Sequence, residues 1–387
     1  MRPIFDSRPI GCVDSLAAAL GMSAVVLKGF AHSVPAHYTH FTIQKANGND
    51  RHLVAPDHAL KLIQKRINRA IFDRVKYPPY LFGGVRGRDY VMNAQAHSHA
   101  QVLLALDIED FYGNITAKRV AEIFKYFFKF PDSVCALLTE LTTLNGSVPQ
   151  GACTSSHIAN LIFHDVEHRL EDEFRVKHLV YTRLLDDICV SSRQPLSKKT
   201  LSHIVEKVSS LVRSRGLNIK EEKTRISSKS NPETLMNVTG LWLNRRRPRA
   251  NRSERLAIRS EIHRCMQNFQ FSRTAPEYHQ EHNSVSGRVS KLTYLGHAEA
   301  PIFREKLRST LPHFSAAEVA KTVQLVDVLS RTSLADRSKY AYVERYFQAM
   351  HRIGVVARNN RGLSRKLRQK LEGCRPAKSR EEILYGA

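Results

Sequence analysis

The sequence has no long apolar run. None approaches the roughly 18–20 residues that a helix needs to span a bilayer, so we expect no transmembrane segment. The first residues, M-R-P-I-F-D-S-R-P-I, lack the charged and then apolar stretches of a secretion signal. The six cysteines include no C-x-x-C pair, which argues against a zinc ribbon or a thiol redox motif. Scattered single cysteines are typical of a reducing compartment, and we expect a cytoplasmic protein.

Negative charge is also scarce. The 387 residues include 60 Lys and Arg against 36 Asp and Glu, which gives a formal net charge of +24. A field of this sign attracts polyanions, and nucleic acid is the first candidate partner. A membrane surface is the second candidate, but no basic amphipathic anchor stands out. The 42% hydrophobic content is ample for a buried core, and the length suggests two or three subdomains.

Apolar periodicity and turn residues predict a mixed α+β chain. Helical spacing is expected over 14–30, 57–75, 117–144, 154–175 and 199–215. Strands are expected over 102–108, 179–185, 188–192 and 238–244, and a hairpin is expected over 38–56. Seven arginines lie within 245–259, and the pattern from Ser253 onward is helical.

Residues 183–190 read R-L-L-D-D-I-C-V and place two carboxylates side by side between apolar segments. The spacing predicts a hairpin with Asp186 and Asp187 at its tip, and Asp107 ends another apolar strand. An acidic surface turn is the simpler alternative. Clustered carboxylates repel one another, and magnesium supplies the missing positive charge through oxygen ligands. A pair of such ions stabilises both the attacking and the leaving oxygen of a phosphoryl transfer.

The order of the motifs resembles that of reverse transcriptases, and among them the bacterial retron type. Four segments match the family's palm motifs: L-D-I-E-D-F-Y-G-N-I (106–115), V-P-Q-G-A-C-T-S-S-H-I-A-N-L (148–161), Y-T-R-L-L-D-D-I-C-V-S-S (181–192) and G-L-N-I-K-E-E-K-T-R-I (216–226). N-A-Q-A-H (93–97) and V-T-G (238–240) match the N-A-x-x-H and V-T-G motifs of the retron group. The likeness covers residues 38–310, approximately.

The resemblance implies an α+β right-hand polymerase fold followed by a helical extension. The expected parts are fingers at 1–101, a palm at 102–244 with helices at 117–145, a thumb at 245–312 and a basic helical extension at 313–387. The implied activity is RNA-directed DNA synthesis from dNTPs with two Mg²⁺ ions. A structured noncoding RNA would be both template and primer, with priming from an internal 2′-hydroxyl and a branched RNA–DNA product. The resemblance further implies a role in anti-phage defence together with an effector protein. We expect no membrane partner.

The resemblance also implies roles at the reaction centre. Asp107, Asp186 and Asp187 are expected to bind the metal ions, with Asp107 and Asp186 the stronger candidates. The carbonyl of Ile108 would complete the shell of one ion, and Lys223 would protonate the departing pyrophosphate as a general acid.

Other residues are expected to bind the substrates. Tyr112 would exclude a ribose 2′-hydroxyl as a steric gate, while Gln150 and Gly151 would line the nucleotide pocket. Arg51, assisted by Lys45, would bind the triphosphate, because a guanidinium grips phosphate oxygens in a fork. Contacts with nucleic acid are expected from Asn93, His97, Arg245, Arg246, Arg247, Arg249 and Arg252.

The chain departs from the family pattern at a few positions. Leu184 replaces the tyrosine of Y-x-D-D, and Leu185 stands where a small residue is common. These changes leave the acids in place but affect primer positioning, fidelity or substrate choice. Two alternatives therefore stay open. One is a defence-associated reverse transcriptase outside the retrons, with unusual templating or untemplated synthesis. The other is an RNA-binding scaffold on an inactive polymerase fold, against which the retained acids and the P-Q-G motif argue.

Overall fold

A computed structural model describes residues 1–44, 48, 50–231, 234–243 and 246–385. The chain divides into two compact units, Met1–Pro248 and Arg249–Ala387. The first unit is mixed α and β around one large apolar core, and the second is mainly helical with two separate apolar cores. The expected α+β class is therefore confirmed, while the division into fingers, palm, thumb and extension stays a prediction.

The N-terminal part of the first unit contains a hairpin between helices. Its elements are β1 (Ile4–Phe5), α1 (Val13–Ala19), α2 (Ala24–Ser33), β2 (Tyr38–Gln44), β3 (Asp50–Pro56), α3 (His58–Ala70), β4 (Val75–Lys76) and α4 (Tyr90–Ala96). The predicted hairpin over 38–56 is confirmed, because β2 and β3 pair antiparallel. The single helix predicted at 14–30 is wrong: Gly21, with φ +60°, follows α1, and Ser23 caps a new helix by accepting from the amide of Val26.

Among the described residues, no helix by itself combines the length and apolar content required to cross a membrane. The bent pair Val13–Ala19 and Ala24–His37, with 95° between its members, meets the requirement only when the two are joined. Leu16 and Leu27 of this pair are buried in the core of the first unit.

The centre of the first unit is built from β5 (Val102–Asp107), α5 (Phe111–Asn114), α6 (Ala117–Glu122), α7 (Asp132–Thr142), α8 (Ser155–Leu161), α9 (Glu167–Val176), β6 (Leu179–Leu184), β7 (Asp187–Ser192), α10 (Lys198–Arg213) and β8 (Arg225–Ser228). The four strands form one antiparallel sheet in the order β6–β7–β5–β8, and the helices surround it. The sequence of β5 is apolar from Val102 to Leu106, as expected for a central strand that is almost wholly buried.

Two of the predicted elements near the sheet are shorter than expected. The helix predicted at 154–175 is interrupted at 162–166, between α8 and α9. The strand predicted at 238–244 is instead two short strands, β9 (Asn237–Val238) and β10 (Leu241–Trp242), which pair antiparallel around a turn. In that turn Thr239 and Gly240 both have positive φ, +50° and +82°.

The second unit begins with β11 (Arg249–Ala250) and continues as helices. Its first core joins α11 (Arg252–Ser272), α12 (Pro276–Tyr294) and α13 (Ala300–Ser309). Its second core joins α14 (Ala316–Arg331), α15 (Tyr340–Val356) and α16 (Arg361–Glu372), and α17 (Arg380–Tyr385) follows. The helical pattern predicted beyond Ser253 is confirmed. On α16, Leu367 and Leu371 are buried while Arg361, Arg365 and Arg368 are exposed, which is the spacing of an amphipathic helix.

Candidate active site

Asp107 and Asp187 lie directly opposite each other on neighbouring strands. They are the last pair in the antiparallel register of β5 and β7, which begins at Val102 and Ser192. Residues directly opposite in such a pair project from the same face, with their Cβ atoms roughly 4.5–5.5 Å apart. The predicted adjacency of the Asp107 strand and the aspartate hairpin is therefore confirmed.

The hairpin turn differs by one residue from the predicted one. Asp187 already belongs to β7, so the turn consists of Leu185 and Asp186. Leu185 has φ +59°, in the left-handed region. The amide of Ile108 donates to the carbonyl of Asp186 at 3.0 Å, which ties the turn to the chain just beyond Asp107. The residue directly opposite Asp107 in the register is thus Asp187. That Asp107 and Asp186 are the stronger candidates for metal binding stays a prediction.

A third segment brings a cation to the same place. The amide of Lys220 donates to the carbonyl of Asp107 at 2.8 Å, and the amide of Glu109 donates to the carbonyl of Asn218 at 2.9 Å. This pairing aligns 218–220 with the end of β5, so that Lys223 reaches Asp107. Its ammonium lies 3.0 Å from Oδ1 and 2.8 Å from Oδ2 of that carboxylate.

The carboxylates create an excess of negative charge. Burial raises the pKa of Asp187 to about 6, and the charges of Asp186 and then Asp107 add to this rise, while Lys223 opposes it. Such a raised pKa shows that the ionised form of Asp187 is undercompensated. A cation bound here is therefore favoured electrostatically.

The donor set suits a hard divalent cation. Carboxylate oxygens are ligands that magnesium and similar ions prefer. Within the described ranges, however, no three side chains of His, Cys, Asp or Glu are grouped closely enough to hold a metal ion. The opposed pair of Asp107 and Asp187 is formed, and Asp107 is bound to Lys223. That the three carboxylates together bind metal ions stays a prediction.

A cleft extends from the carboxylates to the β9–β10 turn. Asp107, Asp187 and Lys223 line it, together with four residues that the sequence analysis did not single out as site residues: Arg225, Asn237, Thr239 and Gly240. Thr239 is held in its left-handed conformation while its hydroxyl donates to the carbonyl of Tyr90 at 3.3 Å. The sequence does contain a signal for Thr239 and Gly240, because V-T-G (238–240) matches a retron motif. The match alone does not indicate that the motif lines the site.

Asn93 and His97 are buried, and the prediction that they contact nucleic acid is wrong. Both side chains are almost wholly inaccessible. The ring of His97 lies 2.7 Å from the hydroxyls of both Ser191 and Thr182, one on β7 and one on β6. Burial lowers the pKa of His97 to about 3, so the ring is neutral. His97 therefore joins the two strands of the aspartate hairpin.

The P-Q-G loop packs against the N-terminal hairpin. The amide of Val54 donates to the carbonyl of Gln150 at 3.3 Å. Gly151 has φ +130°, and a Cβ atom there would lie 2.0 Å from the carbonyl oxygen of Val54. This close approach by itself requires glycine at position 151, so contact with a nucleotide is not needed to explain it. Tyr112, on α5, is half-buried and packs against the core of the first unit.

The remaining predicted contacts are only partly described. Lys45, Arg245 and the side chain of Arg51 lie outside the described residues. Ile108 is buried beside the turn, and its side chain belongs to the core. The arginines of the predicted cluster that are described are exposed or half-buried: Arg246, Arg247, Arg249 and Arg252.

Comparison with known proteins gives the family. The model for "Reverse transcriptase (RNA-dependent DNA polymerase)" matches residues 43–298. The Retron Se72 reverse transcriptase of Salmonella heidelberg is 34% identical over 376 residues, which cover 97% of this chain and 99% of the relative. This chain belongs to the retron-type reverse transcriptases. The predicted retron type is thereby confirmed over the alternative of a defence-associated reverse transcriptase outside the retrons.

Two further relatives agree with this assignment. The Retron Ec48 reverse transcriptase of Escherichia coli is 31% identical and covers 95% of this chain and 91% of its own. The Retron Ec86 reverse transcriptase of the same organism is 28% identical over 65% of this chain and 77% of its own. This reverse transcriptase is accordingly an RNA-directed DNA polymerase with the right-hand polymerase fold, and its family depends on divalent metal ions.

Proposed function

We propose that this reverse transcriptase copies a cognate structured noncoding RNA into DNA by two-metal nucleotidyl transfer. Asp107, Asp186 and Asp187 are the proposed ligands of two Mg²⁺ ions, with the carbonyl of Ile108 completing one shell. The observation that carries the proposal is the direct opposition of Asp107 and Asp187, with the ammonium of Lys223 bound to Asp107. When bound, the ions supply activation of the attacking hydroxyl and neutralisation of the leaving oxygens.

Lys223 has two proposed tasks. Its ammonium neutralises Asp107, to which it donates two hydrogen bonds. During synthesis it donates a proton to the departing pyrophosphate as a general acid. Its side chain is about half exposed and long, which allows it to leave Asp107 for the phosphates.

The nucleotide is held, in this proposal, between the palm and the N-terminal hairpin. Gln150 and Gly151 line its pocket, and Arg51 with Lys45 binds the triphosphate. Tyr112 excludes a ribose 2′-hydroxyl and so selects dNTPs over rNTPs. The packing of the P-Q-G loop on β3, through Val54 and Gln150, supports a pocket formed by both elements.

The template and primer are one folded RNA in this proposal, with priming from an internal 2′-hydroxyl and a branched RNA–DNA product. The net charge of +24 supports a polyanionic partner, and Arg245, Arg246, Arg247, Arg249 and Arg252 are the proposed phosphate contacts. We also propose that the enzyme acts in the cytoplasm, together with an effector protein, in defence against phage. Six unpaired cysteines support a reducing compartment.

The test is DNA synthesis by the full-length protein purified with its own RNA. The variant Asp186→Ala, Asp187→Ala should bind the RNA as the parent does and make no DNA. The variant Asp172→Ala, Glu173→Ala removes another adjacent acidic pair, on α9, and should retain synthesis. If the first variant still yields the branched product, the carboxylates are not the metal ligands. If the parent makes no DNA but binds RNA, the protein is a scaffold.

A further inference from the structure

We propose that Arg183 is a positioning residue that fixes the turn carrying Asp186 and Asp187. Arg183 immediately precedes L-L-D-D and is the largest of the fully buried side chains described. A buried guanidinium requires both a counter-charge and acceptors for its N–H groups. Its partners therefore show which parts of the fold it connects. The inference rests on the proposed role of Asp186 and Asp187 as metal ligands.

All the N–H groups of Arg183 are used. Nε and Nη2 donate to the carboxylate of Glu167 at 2.6 and 2.8 Å. Nη1 donates to the carbonyl of Ala159 at 3.1 Å, and Nη2 to that of Asn160 at 3.0 Å. Nη1 also donates to the carbonyl of Leu185 at 3.2 Å. The guanidinium thus connects α8 and α9 to the aspartate turn itself.

The Leu185 end of this connection is conformationally demanding. Leucine at φ +59° is unfavourable because its Cβ crowds the backbone, so the surrounding structure must impose it. The bond from Arg183 fixes the carbonyl of Leu185. Gly83 lies so close to the Leu185 side chain that a Cβ at Gly83 would be 2.4 Å from Cγ of Leu185. Both contacts act on the residue just before Asp186.

The loop that carries Gly83 is itself tied to Arg183. The backbone amide of Arg183 donates to the carbonyl of Tyr80 at 2.8 Å, and its carbonyl accepts from the amide of Phe82 at 3.0 Å. The side chain of Asn160 donates to the carbonyl of Gly83 at 2.6 Å. The hairpin end, α8 and the loop 80–83 therefore form one hydrogen-bonded assembly behind the acids.

This arrangement does more than stabilise the core. If it only stabilised, its loss would lower the melting temperature but leave the chemistry of the folded enzyme intact. If it sets the turn, a small change should displace the two carboxylates from Asp107 and weaken both metal binding and turnover. Lysine keeps the positive charge at this position but has a single ammonium in place of the planar fork, so it cannot reach all these acceptors.

The experiment uses Arg183→Lys and Gly83→Ala in the full-length protein with a primed RNA template. Gly83→Ala presses on Leu185 without changing the buried ion pair, so it is informative even where Arg183→Lys fails to fold. The control is Arg66→Lys, since Arg66 donates to the carbonyls of Leu20 and Gly21 at 3.0 Å each, in the packing of α1 and α3. Measurements are the melting temperature, RNA affinity, kcat, KM for dNTP and Mn²⁺ affinity by electron paramagnetic resonance.

Both test variants should lose kcat by roughly 10²-fold, as expected for a misplacement of about 1 Å. They should also bind Mn²⁺ more weakly, with RNA affinity unchanged, whereas Arg66→Lys should change only the melting temperature. Folded test variants with unchanged kcat and Mn²⁺ affinity would overturn the inference, as would losses matched by Arg66→Lys. Failure of the proposed function is separate: it appears as synthesis by the Asp186→Ala, Asp187→Ala variant.

Discussion

The ammonium of Lys223 lies within hydrogen-bonding distance of both carboxylate oxygens of Asp107, at 3.0 and 2.8 Å. The lysine therefore binds the same oxygens that the proposed mechanism gives to a metal ion. Its side chain is 54% exposed and that of Asp107 is 17% exposed, so water screens the pair. Ion pairs near the surface contribute only about 0–1 kcal/mol. Under the proposed mechanism, a divalent cation therefore displaces the lysine from Asp107.

Replacing Lys223 by methionine should separate the two tasks of this residue. In this variant no ammonium competes with Mg²⁺ for the carboxylate of Asp107. Mg²⁺ should therefore stabilise the variant at lower concentrations than it stabilises the parent. Turnover should nevertheless fall by roughly 10²-fold, since a general acid is lost. A thermal shift titration with Mg²⁺ and single-turnover kinetics measure the two effects. Lys223→Arg keeps the charge and should retain the parent's metal dependence; equal metal response in all three proteins would contradict this account.

Gly151→Ala should be strongly destabilising. The new Cβ would meet the carbonyl oxygen of Val54 at 2.0 Å, at a φ of +130° that alanine disfavours. Gly146→Ala is the matched control, because Gly146 also has positive φ, +82°, but a Cβ atom there would meet no neighbouring group within 4 Å. The control should lose about 1 kcal/mol and Gly151→Ala more. Urea denaturation measures both, and equal losses would show that the contact with Val54 is unimportant.

Tyr112→Val should relax the choice between dNTPs and rNTPs. If the ring lies where a 2′-hydroxyl would be, a smaller side chain should admit the ribonucleotide and lower the discrimination in kcat/KM by roughly tenfold or more. Tyr126→Val, at an exposed tyrosine in the π-helix Ile123–Phe127, is the control and should leave the ratio unchanged. Unaltered discrimination in Tyr112→Val would leave that tyrosine as part of the core.

The buried ring of His97 should make stability depend on pH. Its pKa is lowered to about 3 by burial, whereas an unfolded histidine titrates near 6.5. The contribution of neutral His97 is therefore complete above pH 6.5 and is lost as the pH falls toward 3. Between pH 6.5 and 5 the loss amounts to about 2 kcal/mol. Urea denaturation of the parent and of His97→Gln at pH 7 and pH 5 tests this. An equal change in the free energy of unfolding between the two pH values in both proteins would contradict it.

Local patterns in the sequence predicted much of the fold. The β2–β3 hairpin, the apolar strand β5 and the strands around L-L-D-D depend on neighbouring residues, which is why periodicity and turn residues were sufficient. The adjacency of Asp107 to the hairpin came from the family resemblance and the motif order. The one-residue difference at the turn arises because Leu185 adopts the left-handed conformation, which a leucine rarely does.

Long-range partners explain what the sequence did not provide. His97 looks like a polar surface residue in N-A-Q-A-H, but its hydroxyl partners are 85 and 94 residues away in the chain. In the sequence, Arg183 likewise looks like an ordinary surface cation of a basic protein. In the fold, α9 places Glu167 within hydrogen-bonding distance of it. Such partners are set by tertiary packing, and no local pattern in a single sequence contains them.

The central position of β5 has a consequence for synthesis of the enzyme in the cell. Its partners β7 and β8 both come later in the chain, and the pairing with β8 joins Val102 to Ser228. Contacts between distant segments form slowly, and chains emerge from the ribosome N-terminus first. A nascent polypeptide that has not yet reached Ser228 holds Asp107 on an incomplete sheet. The sheet at Asp107 can therefore be completed only after the ribosome has translated β8.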